Sequence, residues 1–171
     1  SWINWYKSNH PPNAKLGFDP RMHRIVWKKI SDEQLKSNYK LVPVINNPID
    51  LFWRNRPIPN KEKALLLDEK YTGKSSTIKR TELGQSIVKN GCDAAFITQL
   101  DSIAWLLNIR GNDIPCNPVL LCYGLLHFDG SFDLFINKEK IPENFYNHVG
   151  TKVNVYDSSE INHKLENLSG K

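Results

Sequence analysis

The stretch 119–136 constrains this chain most. Two apolar runs, 119–128 and 131–136, flank Asp129-Gly130. An Asp-Gly pair between such runs signals a two-residue hairpin, because both central residues of that turn take positive φ. An antiparallel strand pair is therefore expected there. Around it, strands alternate with helices. Residues 15–18, 40–45, 92–98 and 152–156 read as strands, with a further short one at 64–67. A hairpin among helix-linked strands predicts an α/β fold with a mixed sheet of about six strands and helices on its faces.

Local punctuation places the helices. Asp19-Pro20 offers an N-cap acceptor followed by proline at the first helical position, so a helix is predicted through residue 36, with Met22, Ile25, Val26 and Ile30 marking its period. Ser75 or Ser76 caps a helix running to Asn90, and Gly91 stops it. Thr98 or Asp101 starts a helix at 102–107, 142–149 is helical, and Ser158 or Ser159 caps a closing helix. Residues 54–73, with Pro57 and Pro59, read as an irregular crossing segment.

A chain of 171 residues, 40% hydrophobic and 24% charged, is expected to fold as one soluble domain. Its longest apolar runs, such as 119–126, are too short to span a bilayer, so no membrane association is expected. The start is informative: Trp2-Ile3-Asn4-Trp5-Tyr6 reads like the middle of an amphipathic helix. Residues 1–12 are therefore expected to be the end of a preceding domain or a linker helix, and 13–171 a single domain.

The formal charge is +5, but lysines and arginines are interspersed with acids along the chain, which argues against a nucleic-acid partner. Trp53-Arg54-Asn55-Arg56-Pro57 is the one stretch where a cationic and aromatic patch can be read, and a tryptophan anchoring the crossing segment to the core is the favoured account. Cys92, Cys116 and Cys122 are odd in number and form no CxxC pair, which fits a reducing compartment and no zinc site. His10, His23, His127, His148 and His163 are scattered, and no phosphate-binding, dinucleotide or nucleophile-elbow motif occurs. No catalytic residue and no metal ligand is assigned. Asn167-Leu168-Ser169 matches a glycosylation acceptor by chance. The most unusual stretch is 110–118, which combines Arg110, Asp113, Asn112 and Asn117 with one glycine and two prolines, the composition of a stiff loop that holds polar groups in place. A rigid connector in which Asp113 pairs with Arg110 is the alternative.

The segment from Leu100 through Asp101-Ser102-Ile103-Ala104-Trp105-Leu106-Leu107-Asn108-Ile109-Arg110-Gly111-Asn112-Asp113-Ile114-Pro115-Cys116-Asn117-Pro118 to Val119 resembles the three-domain Xaa-Pro aminopeptidases. Gly17-Phe18-Asp19-Pro20, Asn47-Pro48-Ile49-Asp50-Leu51-Phe52-Trp53, Arg56-Pro57-Ile58-Pro59 and Tyr71-Thr72-Gly73-Lys74-Ser75 agree in order and spacing. Asn112, Cys116, Leu120 and Leu121 depart from the family's usual residues.

The resemblance implies the second, creatinase-like and non-catalytic domain of a cytoplasmic metallopeptidase that releases a residue preceding proline. It implies that two divalent metals, typically manganese, are held by two Asp, one His and two Glu of a separate catalytic domain, with no cofactor in this chain. It further implies that the loop walls the substrate cleft through Arg110, Asp113 and Asn117. The expected partners are a peptide substrate and the catalytic domain of the same polypeptide, with the parent a homodimer and this piece a monomer. The rival expectation is a peptidase-like protein-binding module, as in a histone chaperone, although a positive charge would repel histones.

Overall fold

The computed structural model describes residues 1–168, so Ser169 of the Asn167-Leu168-Ser169 pattern lies outside the described residues. The chain forms two compact units, Ser1–Pro57 and Ile58–Lys171, dividing inside the proline-rich crossing segment and not after residue 12.

In the first unit α1 (Trp2–Asn9), β1 (Lys15–Phe18), α2 (Ile25–Leu35), β2 (Lys40–Pro43) and α3 (Pro48–Phe52) follow in order. β1 and β2 pair in parallel from Lys15↔Lys40 to Phe18↔Pro43, which requires the crossover that α2 supplies. Ile3, Tyr6, Leu35 and Leu41 form the core. The predicted helix from residue 20 is broken. Asp19 caps only a 3-10 turn, Pro20–Met22, and His23 and Arg24 are extended before α2 begins. The interruption lets His23 stack on Trp27 at 3.8 Å, and Trp27 in turn meets Trp2 and Phe18. Ser31 and Leu35 consequently face the core, while Met22, Ile25, Val26 and Ile30 are exposed.

The motif residues of this unit form one hydrogen-bonded group. Arg21 Nη2 donates to Asp19 Oδ2 at 2.7 Å and to Asp50 Oδ2 at 3.3 Å, Asn47 Nδ2 donates to Asp19 Oδ2 at 3.0 Å, and Arg56 binds the other oxygen of Asp50. Asn47 also caps α3 through Ile49 N–H at 3.0 Å. Trp53 is not buried as an anchor: it is half exposed, and Arg56 lies 5.0 Å from its ring centre.

The second unit contains β3 (Leu65–Leu66), α4 (Glu69–Thr72), α5 (Ser76–Lys89), β4 (Ala94–Ile97), α6 (Leu100–Leu107), β5 (Ile109–Arg110), β6 (Tyr123–His127), β7 (Phe132–Phe135), α7 (Phe145–Val149), β8 (Val153–Tyr156) and α8 (Ile161–Glu166). Its main sheet has the order β4-β6-β7-β8, antiparallel except for the parallel β7–β8 pair. The expected hairpin is present, with Gly130 at φ +78° in its turn. The mixed α/β class holds, but the sheet has four strands instead of six. β1 and β2 pair with each other in the first unit, and β3 pairs only with β5, over two residues each. β4 is an edge strand and is only partly buried, with Phe96 exposed. Leu126, Phe132 and Leu134 of the sheet share one buried core with Ile103, Leu106, Leu107, Phe145 and Val149 of the helices.

Caps follow the expected chemistry with one change of residue. Ser75 Oγ accepts from Ile78 N–H at 3.3 Å, and Gly91 follows α5 at φ +68°. Ahead of α8 it is Asp157, not either serine, that caps, and it caps the 3-10 turn Ser158–Glu160 that leads into the helix: its Oδ1 accepts from Ser159 N–H at 3.0 Å, and Glu160 Oε1 accepts from Asp157 N–H at 3.0 Å. An ionised carboxylate is the stronger acceptor of the available side chains.

Two cations that sequence reasoning missed are buried on α5. The Arg80 guanidinium donates to the carbonyls of Gly130 (2.5 Å), Val149 (2.9 Å) and Thr151 (3.0 Å), joining the hairpin turn to the end of α7 and the approach to β8. Lys79 Nζ donates to Asn108 Oδ1 at 2.6 Å and Trp105 O at 2.9 Å, where a cation complements the C-terminal carbonyls of α6.

Candidate functional site

β5 begins directly after α6 because Asn108 takes the left-handed conformation, φ 54° and ψ 43°, that ends the helix. Residues 110–118 then close on themselves. Gly111 N–H donates to Pro118 O at 3.3 Å, Asp113 N–H to Val119 O at 3.3 Å, and Asn117 N–H to Ile114 O at 3.1 Å. A Cβ at Gly111 would fall 2.3 Å from Leu120 Cδ2, so a larger residue there would have to displace the buried Leu120 side chain. The crossing segment is stitched to this loop: Asn60 Nδ2 donates to Asn112 O at 2.8 Å, and Asn112 Nδ2 donates to Glu62 Oε2 at 3.2 Å.

The two segments enclose an open groove of about 440 Å³ whose lining includes Glu62, Lys63, Leu65, Arg110, Asn117 and Pro118. Arg110 Nη1 is pinned by Ile109 O at 2.8 Å and Ala104 O at 3.1 Å. Of the three residues singled out from sequence, Arg110 and Asn117 line this groove and Asp113 does not. The Asp113 side chain is buried, its Oδ2 accepting from Leu121 N–H at 2.7 Å and from Lys140 Nζ at 2.5 Å. Its partner is therefore Lys140, from the turn after β7, and not Arg110. Asp113 positions the loop. The pairing was hidden in the sequence because the two residues lie 27 positions apart. Lys63 and Glu62 were also missed, since the crossing segment carries no periodicity that would assign it a face.

Cys116, at φ +61°, is exposed at the groove. Cys122 is buried, and burial, with the Asp113 carboxylate as a lesser cause, pushes its thiol up to about 12. Among the described residues no group of three or more His, Cys, Asp or Glu side chains could hold a metal ion. Among the described residues no helix is long and apolar enough to cross a membrane.

Fold and groove together define a mixed-sheet α/β domain with a stiff, polar loop at one opening. The chain belongs to the creatinase/prolidase N-terminal domain family, whose model matches residues 55–171, a range that includes the whole of the second unit. A probable Xaa-Pro aminopeptidase P of Ajellomyces capsulatus (strain H143) is 34% identical over 163 residues, covering 94% of this chain and 26% of that protein. Protein pid-5 of Caenorhabditis elegans is 38% identical over 142 residues, covering 82% of this chain and 13% of that protein. Among solved structures, the X-prolyl aminopeptidase of Caenorhabditis elegans, described as a cytosolic enzyme with a di-nuclear active site, matches with a TM-score of 0.85 and 30% identity over 98% of this chain and 27% of its own. The chain thus spans about a quarter of the length of the aminopeptidases it matches.

Proposed function

We propose that this chain is a non-catalytic part of a cytoplasmic, metal-dependent Xaa-Pro aminopeptidase and that its 110–118 loop walls the peptide cleft. The observation that carries the reading is the match over 98% of the chain to about a quarter of an X-prolyl aminopeptidase with a di-nuclear site. The described residues here gather no comparable ligand set. The metals, taken to be manganese, would be held by a catalytic domain of the same polypeptide, which with the peptide is this chain's partner; the longer protein would be a homodimer and this piece a monomer. A wall that excludes water and orients the peptide strengthens the metals' electrostatic work without adding a reacting group. Arg110 and Asn117 form that wall, and Asp113 holds the loop from behind.

In the test, the isolated chain with added manganese is expected to leave Xaa-Pro peptides intact, whereas the longer protein hydrolyses them. Metal-dependent turnover by the isolated chain above a heat-killed control would overturn the assignment. In the longer protein, Arg110→Ala and Asn117→Ala are expected to raise KM, and unchanged kinetics for both would remove the wall. A second reading has one observation in its favour, the 38% identity to protein pid-5, whose name denotes no activity. In that reading the chain is part of a peptidase-like protein-binding module, and the longer polypeptide would lack the two Asp, one His and two Glu.

A further inference from the structure

The groove beside the 110–118 loop has an uneven charge. Its one carboxylate, Glu62, already accepts a hydrogen bond from Asn112 Nδ2. Its two cations are less engaged. Arg110 spends only Nη1 on the backbone carbonyls of Ala104 and Ile109, which leaves Nε and Nη2 without a partner among the described residues. Lys63 has no side-chain partner among the described residues at all.

The antiparallel register places Leu65 opposite Arg110. Lys63, two residues before Leu65, lines the same groove as Leu65 and Arg110. The same lining carries an apolar part, Leu65, which is 61% exposed, with Pro118 and the Cys116 side chain, beside the amides of Asn112 and Asn117. A guanidinium fixed at one nitrogen presents its other donors in a rigid fork suited to a carboxylate, and an apolar floor suits the side chain beside that carboxylate.

We propose that this groove binds the carboxylate of an apolar C-terminal residue of a short peptide, through Lys63 and the free edge of Arg110. The inference rests on the peptide-cleft reading and adds to it which end of the substrate the wall holds. A cationic rim repels the ammonium at the other end, so the groove orients a short peptide with its C terminus toward the loop.

The test is a titration of the isotope-labelled chain, followed by amide chemical shifts, with the tripeptide Ala-Pro-Leu as the free acid, as the C-terminal amide, and with acetate as a third arm. The free acid is expected to shift the amides of Gly111, Asn112 and Asn117 and to bind roughly threefold to fivefold more tightly than the amide, the scale of an exposed ion pair. Lys63→Gln, which has no native bond to lose, and Arg110→Gln are each expected to shrink the acid-over-amide preference, and the double variant to bring acid and amide to parity. Equal affinity of acid and amide at these residues would overturn the carboxylate site and leave the cleft wall standing. Acetate that reproduces the shifts at the affinity of the tripeptide would reduce the site to an adventitious anion site and overturn the peptide assignment. Absence of shifts at the loop with both peptides would remove the wall as well.

Discussion

With side chains only 2% and 5% exposed, Asp113 and Lys140 form an ion pair that water does not screen, and Asp113 Oδ1 has no hydrogen-bond partner. Such a pair is a weak source of net stability when intact, yet removing one member strands the other charge and costs about 3–5 kcal/mol. Asp113→Ala is therefore expected to destabilise the chain by that amount in urea unfolding. The double change Asp113→Leu with Lys140→Met should recover most of the loss; an unaltered midpoint for the single variant would show that the pair is not desolvated. Burial governs the thiols in the same way. Cys92 and Cys116 are exposed, whereas burial pushes Cys122 up to about 12, so at pH 8 its nucleophilic thiolate is scarce as well as hidden. A thiol reagent is expected to label Cys92 and Cys116 in the folded protein and Cys122 only after unfolding. Prompt labelling of all three would contradict the buried position of Cys122.

The elements were legible where their signals are local. The Asp129-Gly130 turn, the Ser75 cap, the Gly91 stop and β8 stand at or within a residue or two of their expected places, because each depends on the conformation of a few neighbouring residues. The helix beginning at Asp19-Pro20 failed as a continuous element: the local start signal produced only the 3-10 turn Pro20–Met22, and extended backbone at His23 and Arg24, where His23 stacks on Trp27, separates it from α2. Gly84 shows tertiary contact reversing a propensity. A glycine inside a helix is less stable than alanine by roughly 0.5–1 kcal/mol, so α5 alone would gain from the exchange. In the folded chain, however, a Cβ there would lie 2.6 Å from Phe128 O and 3.1 Å from Gly130 N, and both are backbone atoms of the hairpin. Gly84→Ala is expected to cost roughly 1–3 kcal/mol, the range for overpacking. The sign of the shift in thermal midpoint decides the point: a rise would mean that the hairpin yields to α5.

At the scale of the whole molecule, the two units differ in what each can bury. The first relies on Ile3, Tyr6, Leu35 and Leu41 and on a two-stranded parallel pair, a small core for a sheet type that ordinarily needs cover on both faces. The second has a continuous core under four strands. Residues 58–171 are expected to melt cooperatively by circular dichroism when produced alone, and residues 1–57 alone to show no cooperative transition. A sharp transition in the short piece would refute that contrast. By itself, the sequence determined the kind and order of most elements and the stiff character of the 110–118 loop, because caps, turns and proline placement act within a few residues. Only the tertiary structure decided which strands share a sheet, that Asp113 meets Lys140, that Arg80 ties Gly130 to Val149 and Thr151, and that Lys63 joins Arg110 at one groove. Those pairings join residues far apart in the chain, and no local periodicity encodes which distant partner a buried charge or a strand edge will meet.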